Sequence, residues 1–150
     1  MQKIIFTFVL LLHITAAFAA QSSQVIYSEK YKDNANLGVK LYTAINIKNV
    51  SPTQAKVKIF MNVPYMNSNC IGDIEGNATV NGNVVTLTVV NENNYQCTLV
   101  IKHNNKEASV LSETEFCQDY HGSQCSFKGI KNLKRSRLTH HSSGTPNGAP

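Results

Sequence analysis

The chain has 150 residues, a length that fits one domain. Its formal charge of +5 is unevenly placed: residues 20–127 carry eight lysines against nine acids, a balance of −1, whereas residues 128–137 carry five cations and no acid. The high overall charge is therefore no sign that the body of the protein binds nucleic acid in general.

In chain order, residues 1–19 read as a secretory signal. Lys3 gives a short positive start, residues 4–12 are almost unbroken apolar and too short to cross a bilayer stably, and Ala17 and Ala19 supply the small residues that a signal peptidase reads. The competing reading is a buried N-terminal helix. No cysteine stands at the expected cleavage point, so no bacterial lipid anchor is expected there. No second long apolar run follows, so no transmembrane segment is expected and the mature chain is expected to be soluble.

Residues 20–38 form a polar N-terminal arm, in which Val25, Tyr27 and Tyr31 mark either a first strand or a partly ordered lead-in. Residues 39–130 form the β domain. Leu41, Thr43, Ile45 and Ile47 alternate with polar residues, Ser51-Pro52 breaks the run, and Val57, Ile59, Met61 and Val63 resume it. Residues 64–69 read as a loop. Residues 70–73 begin another strand, and Gly76 reads as a bulge or bend. Residues 77–80 and 84–90 flank Asn81-Gly82-Asn83, a strong hairpin signal. A second turn at 91–94 precedes a strand with Tyr95, Cys97, Leu99 and Ile101 on one face. Asn104-Asn105 makes a third turn, residues 107–111 follow, and residues 125–130 offer a last short strand around Phe127. This spacing predicts an all-β fold: a small antiparallel meander forming a barrel or sandwich, stapled by disulfides. Residues 131–150 are basic and then rich in Ser, Gly, Pro and His. They hold too few apolar residues to offset their ordering entropy and read as a disordered basic C-terminal tail.

Four cysteines, Cys70, Cys97, Cys117 and Cys125, lie beyond the signal. An even number in an exported chain points to disulfides, and three pairings are open. The preferred one joins Cys117 to Cys125 as a loop staple and Cys70 to Cys97 across strands. Zinc is the competing reading, but the spacing contains no Cys-x-x-Cys unit.

The densest polar cluster is the run from Cys117 to Cys125. It presents Asp119, Tyr120, His121 and Ser123 as a partner-contact loop. A rigid loop loses little entropy on binding. A nucleophilic reading of Ser123, His121 and Asp119 is weaker, because catalytic triads are assembled from distant positions; a purely structural turn also competes. The carboxylate pairs Asp73/Glu75 and Glu113/Glu115 read as solvated strand edges. Lys128, Lys131, Lys134, Arg135 and Arg137 suit an anionic surface, an acidic patch on a protein, or an inert solubilising end. Asn77-Ala78-Thr79 matches a glycosylation acceptor. No cofactor, no metal and no catalytic residue is expected.

Cys70 with Glu75-Gly76 behind it, Cys97-Thr98-Leu99-Val100-Ile101, Cys117, Tyr120-His121-Gly122 and Phe127-Lys128-Gly129 occur in that order. The pattern resembles a group of small exported β-rich proteins of Gram-negative bacteria, some of them lysozyme-inhibitor-like. The resemblance covers residues 70–129 and rests on fold-forming glycines and cysteines. The chain departs from it in the basic extension after Gly129 and lacks the hydroxyl-rich signature of membrane-bound lysozyme inhibitors. The resemblance implies fold more than function; together with the loop from Cys117 to Cys125 and the absence of a catalytic pattern, it leads to the expectation of an exported, periplasmic or secreted, non-enzymatic binding protein, with a cell-wall hydrolase as the suggested partner. The alternative is a secreted factor that attaches through its basic tail to acidic lipid, lipopolysaccharide or a host molecule.

Overall fold

The computed structural model describes residues 23–30, 41–66 and 68–136; the expected signal, Tyr31, Arg137 and the rest of the tail lie outside these. Eight strands follow one another: β1 Gln24–Lys30, β2 Tyr42–Ser51, β3 Gln54–Tyr65, β4 Ser68–Asn81, β5 Val84–Val90, β6 Gln96–His103, β7 Glu107–Glu113 and β8 Leu133–Lys134. Each pairs antiparallel with the next, in the order β1 to β8. The sheet then curls back on itself. Arg135 bridges to Tyr27, and the Ser136 N–H donates to the Ile26 carbonyl at 2.8 Å, which makes a nearly closed barrel. The all-β meander expected from the sequence is this barrel.

Alternation builds the core. Ile45 and Ile47 of β2, Val57 and Ile59 of β3, Val85 and Leu87 of β5, and Leu99 and Ile101 of β6 point inward and are buried. Their neighbours face outward, as a period of two requires. The turns follow local chemistry. Gly82 takes φ +59 as the first of two loop residues between Asn81 and Val84, the pattern of a type II′ turn. The Asn91 side chain accepts from the N–H groups of Asn93 and Tyr95, and the Asn104 side chain accepts from those of Lys106 and Glu107.

Four expectations are corrected. Residues 64–69 are mostly strand, with the turn pivoting at Met66 (φ +49). Pro64 is tolerated because alternation from the Val80–Thr53 hydrogen bond turns its nitrogen away from β4. Gly76 is no bulge, since the β3–β4 register runs unbroken. A Cβ there would lie 2.7 Å from Val89, so the glycine admits β5 at close range. Phe127–Gly129 is a 3-10 turn rather than a strand. Residues 131–136, assigned to the tail, belong to the barrel: β8 pairs with β7, and Leu133 is buried.

Beyond Ala78, β4 and β5 no longer pair. The segment between β7 and β8 packs where they part, and this cap carries the candidate site.

Candidate functional site

The cap starts from a break in register. β7 shifts by one residue between its pairings Ile101–Val110 and Val100–Ser112, leaving Leu111 as the extra residue. A bulge re-aims every side chain after it. Glu113 now lies opposite the buried Leu99, with its side chain only 15% exposed. Thr114 then ties the chain to β6: its hydroxyl accepts from the Thr98 N–H at 2.9 Å and donates to the Gln96 carbonyl at 3.2 Å. A 3-10 helix, Glu115–Tyr120, follows, and Cys117 is fully buried against β6.

The disulfides are Cys97–Cys117 and Cys70–Cys125, with Cα separations of 4.6 and 5.6 Å. This corrects the preferred pairing. Cys117 turns inward to β6, whereas Cys125 reaches β4, so the loop is not closed on itself. It is fastened to the barrel at both ends. Phe127 completes the fastening. Its ring is fully buried over Gly72, where a Cβ would come within 2.8 Å of it.

The four residues expected at a contact surface fall into two groups. Asp119 and Ser123 are exposed. The Asp119 carboxylate accepts from the Asn91 side chain at 2.7 Å, joining the cap to the β5–β6 turn. Tyr120 is half-buried against the core, and His121 is 6% exposed. The His121 ring packs edge-on against Phe127. Its Nδ1 donates to the Gly122 carbonyl at 2.7 Å, which directs Nε2 at Glu113 Oε1, 3.6 Å away. The other Glu113 oxygen accepts from the Lys128 N–H at 3.2 Å. Nδ1 is thus bound inside the cap, whereas the buried Nε2 makes no hydrogen bond among the described residues. His121 is turned into the cap rather than outward, and Glu113 lies largely buried beside it rather than on a solvated edge. The adjacent apolar pair Val110-Leu111 was the signal in the sequence that the alternation slips there.

Two surface features flank the cap. A shallow cavity of about 320 Å³ lies between it and the β3–β4 turn, lined in part by Tyr65, Ser68, Ile71, Ser123 and Gln124. Ile71 is 57% exposed on its rim, and Met66 beside it is 87% exposed. On another side, Tyr95 and Phe116 stack nearly parallel at 4.7 Å with both rings partly exposed. The alternation puts Tyr95 on one face with Cys97, Leu99 and Ile101, but Tyr95 precedes β6 and stacks on the cap instead.

The basic residues are not equivalent. Lys128 and Lys131 are exposed, Lys134 pairs with Glu107 at 2.8 Å, and Arg135 stands at the barrel seam. On the outer sheet Lys58 lies 3.3 Å from Glu75 and 3.8 Å from Asp73. The hydrogen bond to Glu75 and the charge of Asp73 hold its pKa above the usual lysine value. Inside the opposite end, the Tyr27 hydroxyl donates to the Asn104 carbonyl at 2.7 Å and meets His103 Nδ1 at 3.1 Å. Burial pushes the Tyr27 phenol up and the His103 imidazole down.

Among the described residues, no group of three His, Cys, Asp or Glu could hold a metal, and no helix is long and apolar enough to cross a membrane. The two disulfides point to a setting outside the reducing cytoplasm. Comparison with known proteins returns no matching family model, no matching curated protein and no matching solved structure, so the reading of this site rests on its own geometry.

Proposed function

We propose that the protein is an exported, non-enzymatic binding module whose cap is its contact surface, with a cell-wall hydrolase as the first partner to test. One observation carries the reading: two disulfides clamp the cap to β4 and β6. The exposed groups on and beside it (Asp119, Ser123, Ile71 and the Tyr95–Phe116 stack) are therefore held in place before any partner arrives. Such preorganisation lowers the entropy cost of association, and aromatic anchors carry much of the energy at protein interfaces. The nearest approach to a catalytic pair, His121 with Glu113, is shut inside the cap with its side chains 4% and 15% exposed, which favours binding over chemistry. The signal-like residues 1–19 and the resemblance over residues 70–129 support export and suggest the hydrolase.

The test is inhibition of peptidoglycan cleavage by a panel of basic and acidic muramidases, using the oxidised protein. Stoichiometric inhibition of one member is expected. Ser123→Arg and Phe116→Ala alter exposed positions and should each weaken it by about tenfold or more. No inhibition by any member, with the folded state verified, overturns the hydrolase as partner.

A second reading, attachment to an anionic surface, draws on the exposed Lys128 and Lys131, which make no ion pair among the described residues. It requires vesicle binding that weakens steeply with salt and is lost in Lys128→Gln/Lys131→Gln.

A further inference from the structure

The barrel closes through a short seam. β8 is only two residues long, and beyond it β1 is met by a single bridge, Tyr27 to Arg135. The Asn49 N–H donates to the Ser23 carbonyl, so alternation in the unbroken β1–β2 register turns Gln24 and Ile26 toward the seam. The Ile26 carbonyl takes the Ser136 N–H, so Ile26 lies directly opposite Ser136, and Gln24 lies on the same edge beyond that pair. A cavity of about 570 Å³ lies there, lined by Gln24, Val25, Ile26, Lys106, Arg135 and Ser136 with Asn105.

Its charge is one-sided. The β7–β8 register pairs Glu107 with Lys134, and one step further the Arg135 N–H donates to the Lys106 carbonyl at 2.8 Å. Lys106 and Arg135 are therefore direct cross-strand neighbours of like charge, an arrangement that costs stability when nothing offsets it. Glu107 is engaged with Lys134. Among the described residues neither Lys106 nor Arg135 has an ion-pair partner, and no acid lines the cavity. The Tyr27–Arg135 bridge places Arg135 beside the barrel wall, where its charge works against the upward push that burial gives the Tyr27 pKa.

We propose that this seam cavity binds the phosphate group of a small phosphorylated molecule, held by Lys106, Arg135 and the N–H group of Gln24. Two cations match the charge of a phosphate monoester better than that of a single carboxylate. Guanidinium and ammonium groups with backbone N–H donors form its usual cradle. The cavity lies in the size range of small-molecule sites and exceeds what a bare oxyanion fills, so the phosphate arrives on an organic body.

The test uses the full oxidised chain at low salt, followed by backbone amide chemical shifts. Titration with glucose 6-phosphate is expected to saturate and to move the amides of Ile26, Lys106 and Arg135. Inorganic phosphate should move the same amides more weakly, and glucose should move none. Lys106→Gln and Arg135→Gln should each weaken glucose 6-phosphate binding by about tenfold or more while leaving the urea midpoint unchanged or higher. Unaltered affinity in both variants, or shifts centred on Lys128 and Lys131, overturns the site. So does binding to phosphatidylglycerol vesicles with no response to glucose 6-phosphate, which assigns the charge to a lipid surface. Muramidase inhibition reads the cap at another place on the barrel, so either proposal can fail without the other.

Discussion

Single residues decide how the cap meets the barrel. Gly72 is the clearest case, because the Phe127 ring and the His121 Cβ occupy the space where its side chain would be. Gly72→Ala forces that packing apart and is expected to lower stability by about 1–3 kcal/mol in urea unfolding. His103 sets a pH dependence at the other end. Burial holds its folded pKa below the unfolded value of about 6.5. As pH falls through that value, the unfolded chain takes up the proton first. The stability present above about pH 6.5 is thus lost progressively toward the lower folded value. The urea midpoint should fall between pH 7 and pH 5, and His103→Gln should flatten that decline; an equal decline in the variant assigns it to other groups. Gly72 is not among the residues that the sequence motifs single out. The reason for a glycine there lies 55 positions downstream, at Phe127.

At the scale of elements, alternation made β2, β3 and β6 legible, because their apolar residues recur at every second position. The turns were legible where Asn and Gly supply their own geometry. The cap was not. Its shape depends on the bulge at Leu111 and on which sulfur each cysteine meets, and neither is local information. Nearness in sequence makes Cys117 and Cys125 look like mutual partners, whereas Cys117 lies within the 3-10 helix and meets β6, and the chain beyond the helix carries Cys125 to β4. Digestion without reduction should release peptides joining Cys70 to Cys125 and Cys97 to Cys117. The bonds also span different lengths of chain, with sequence separations of 55 and 20 residues. On the loop-entropy model, replacing both cysteines of the longer link with serine should cost roughly 4 kcal/mol, against roughly 3 kcal/mol for the shorter. Urea unfolding of the two double variants measures the order.

For the molecule as a whole, closure is the decisive property. Seven strands of the meander would leave β1 and β7 as open edges, and unpaired edges recruit other chains. β8 removes part of this exposure with two residues and a bridge, and it does so from a stretch whose composition reads as tail. Lys131, Lys134 and Arg135 dominate that stretch, and Leu133 is one apolar residue among them. Mean composition concealed it because a single side chain, buried to 1% exposure, does the anchoring while its neighbours stay in water. Leu133→Ala should therefore behave as a core substitution, costing about 2–5 kcal/mol in urea unfolding, whereas Lys131→Ala should change stability by less than about 0.5 kcal/mol. Opening the seam should also expose the edges of β1 and β7. The Leu133 variant is then expected to self-associate at concentrations where the parent stays dispersed, as light scattering would register. Equal, small effects for the two substitutions would place residues 131–136 outside the cooperative fold, and the seam cavity with its facing cations would lose its wall.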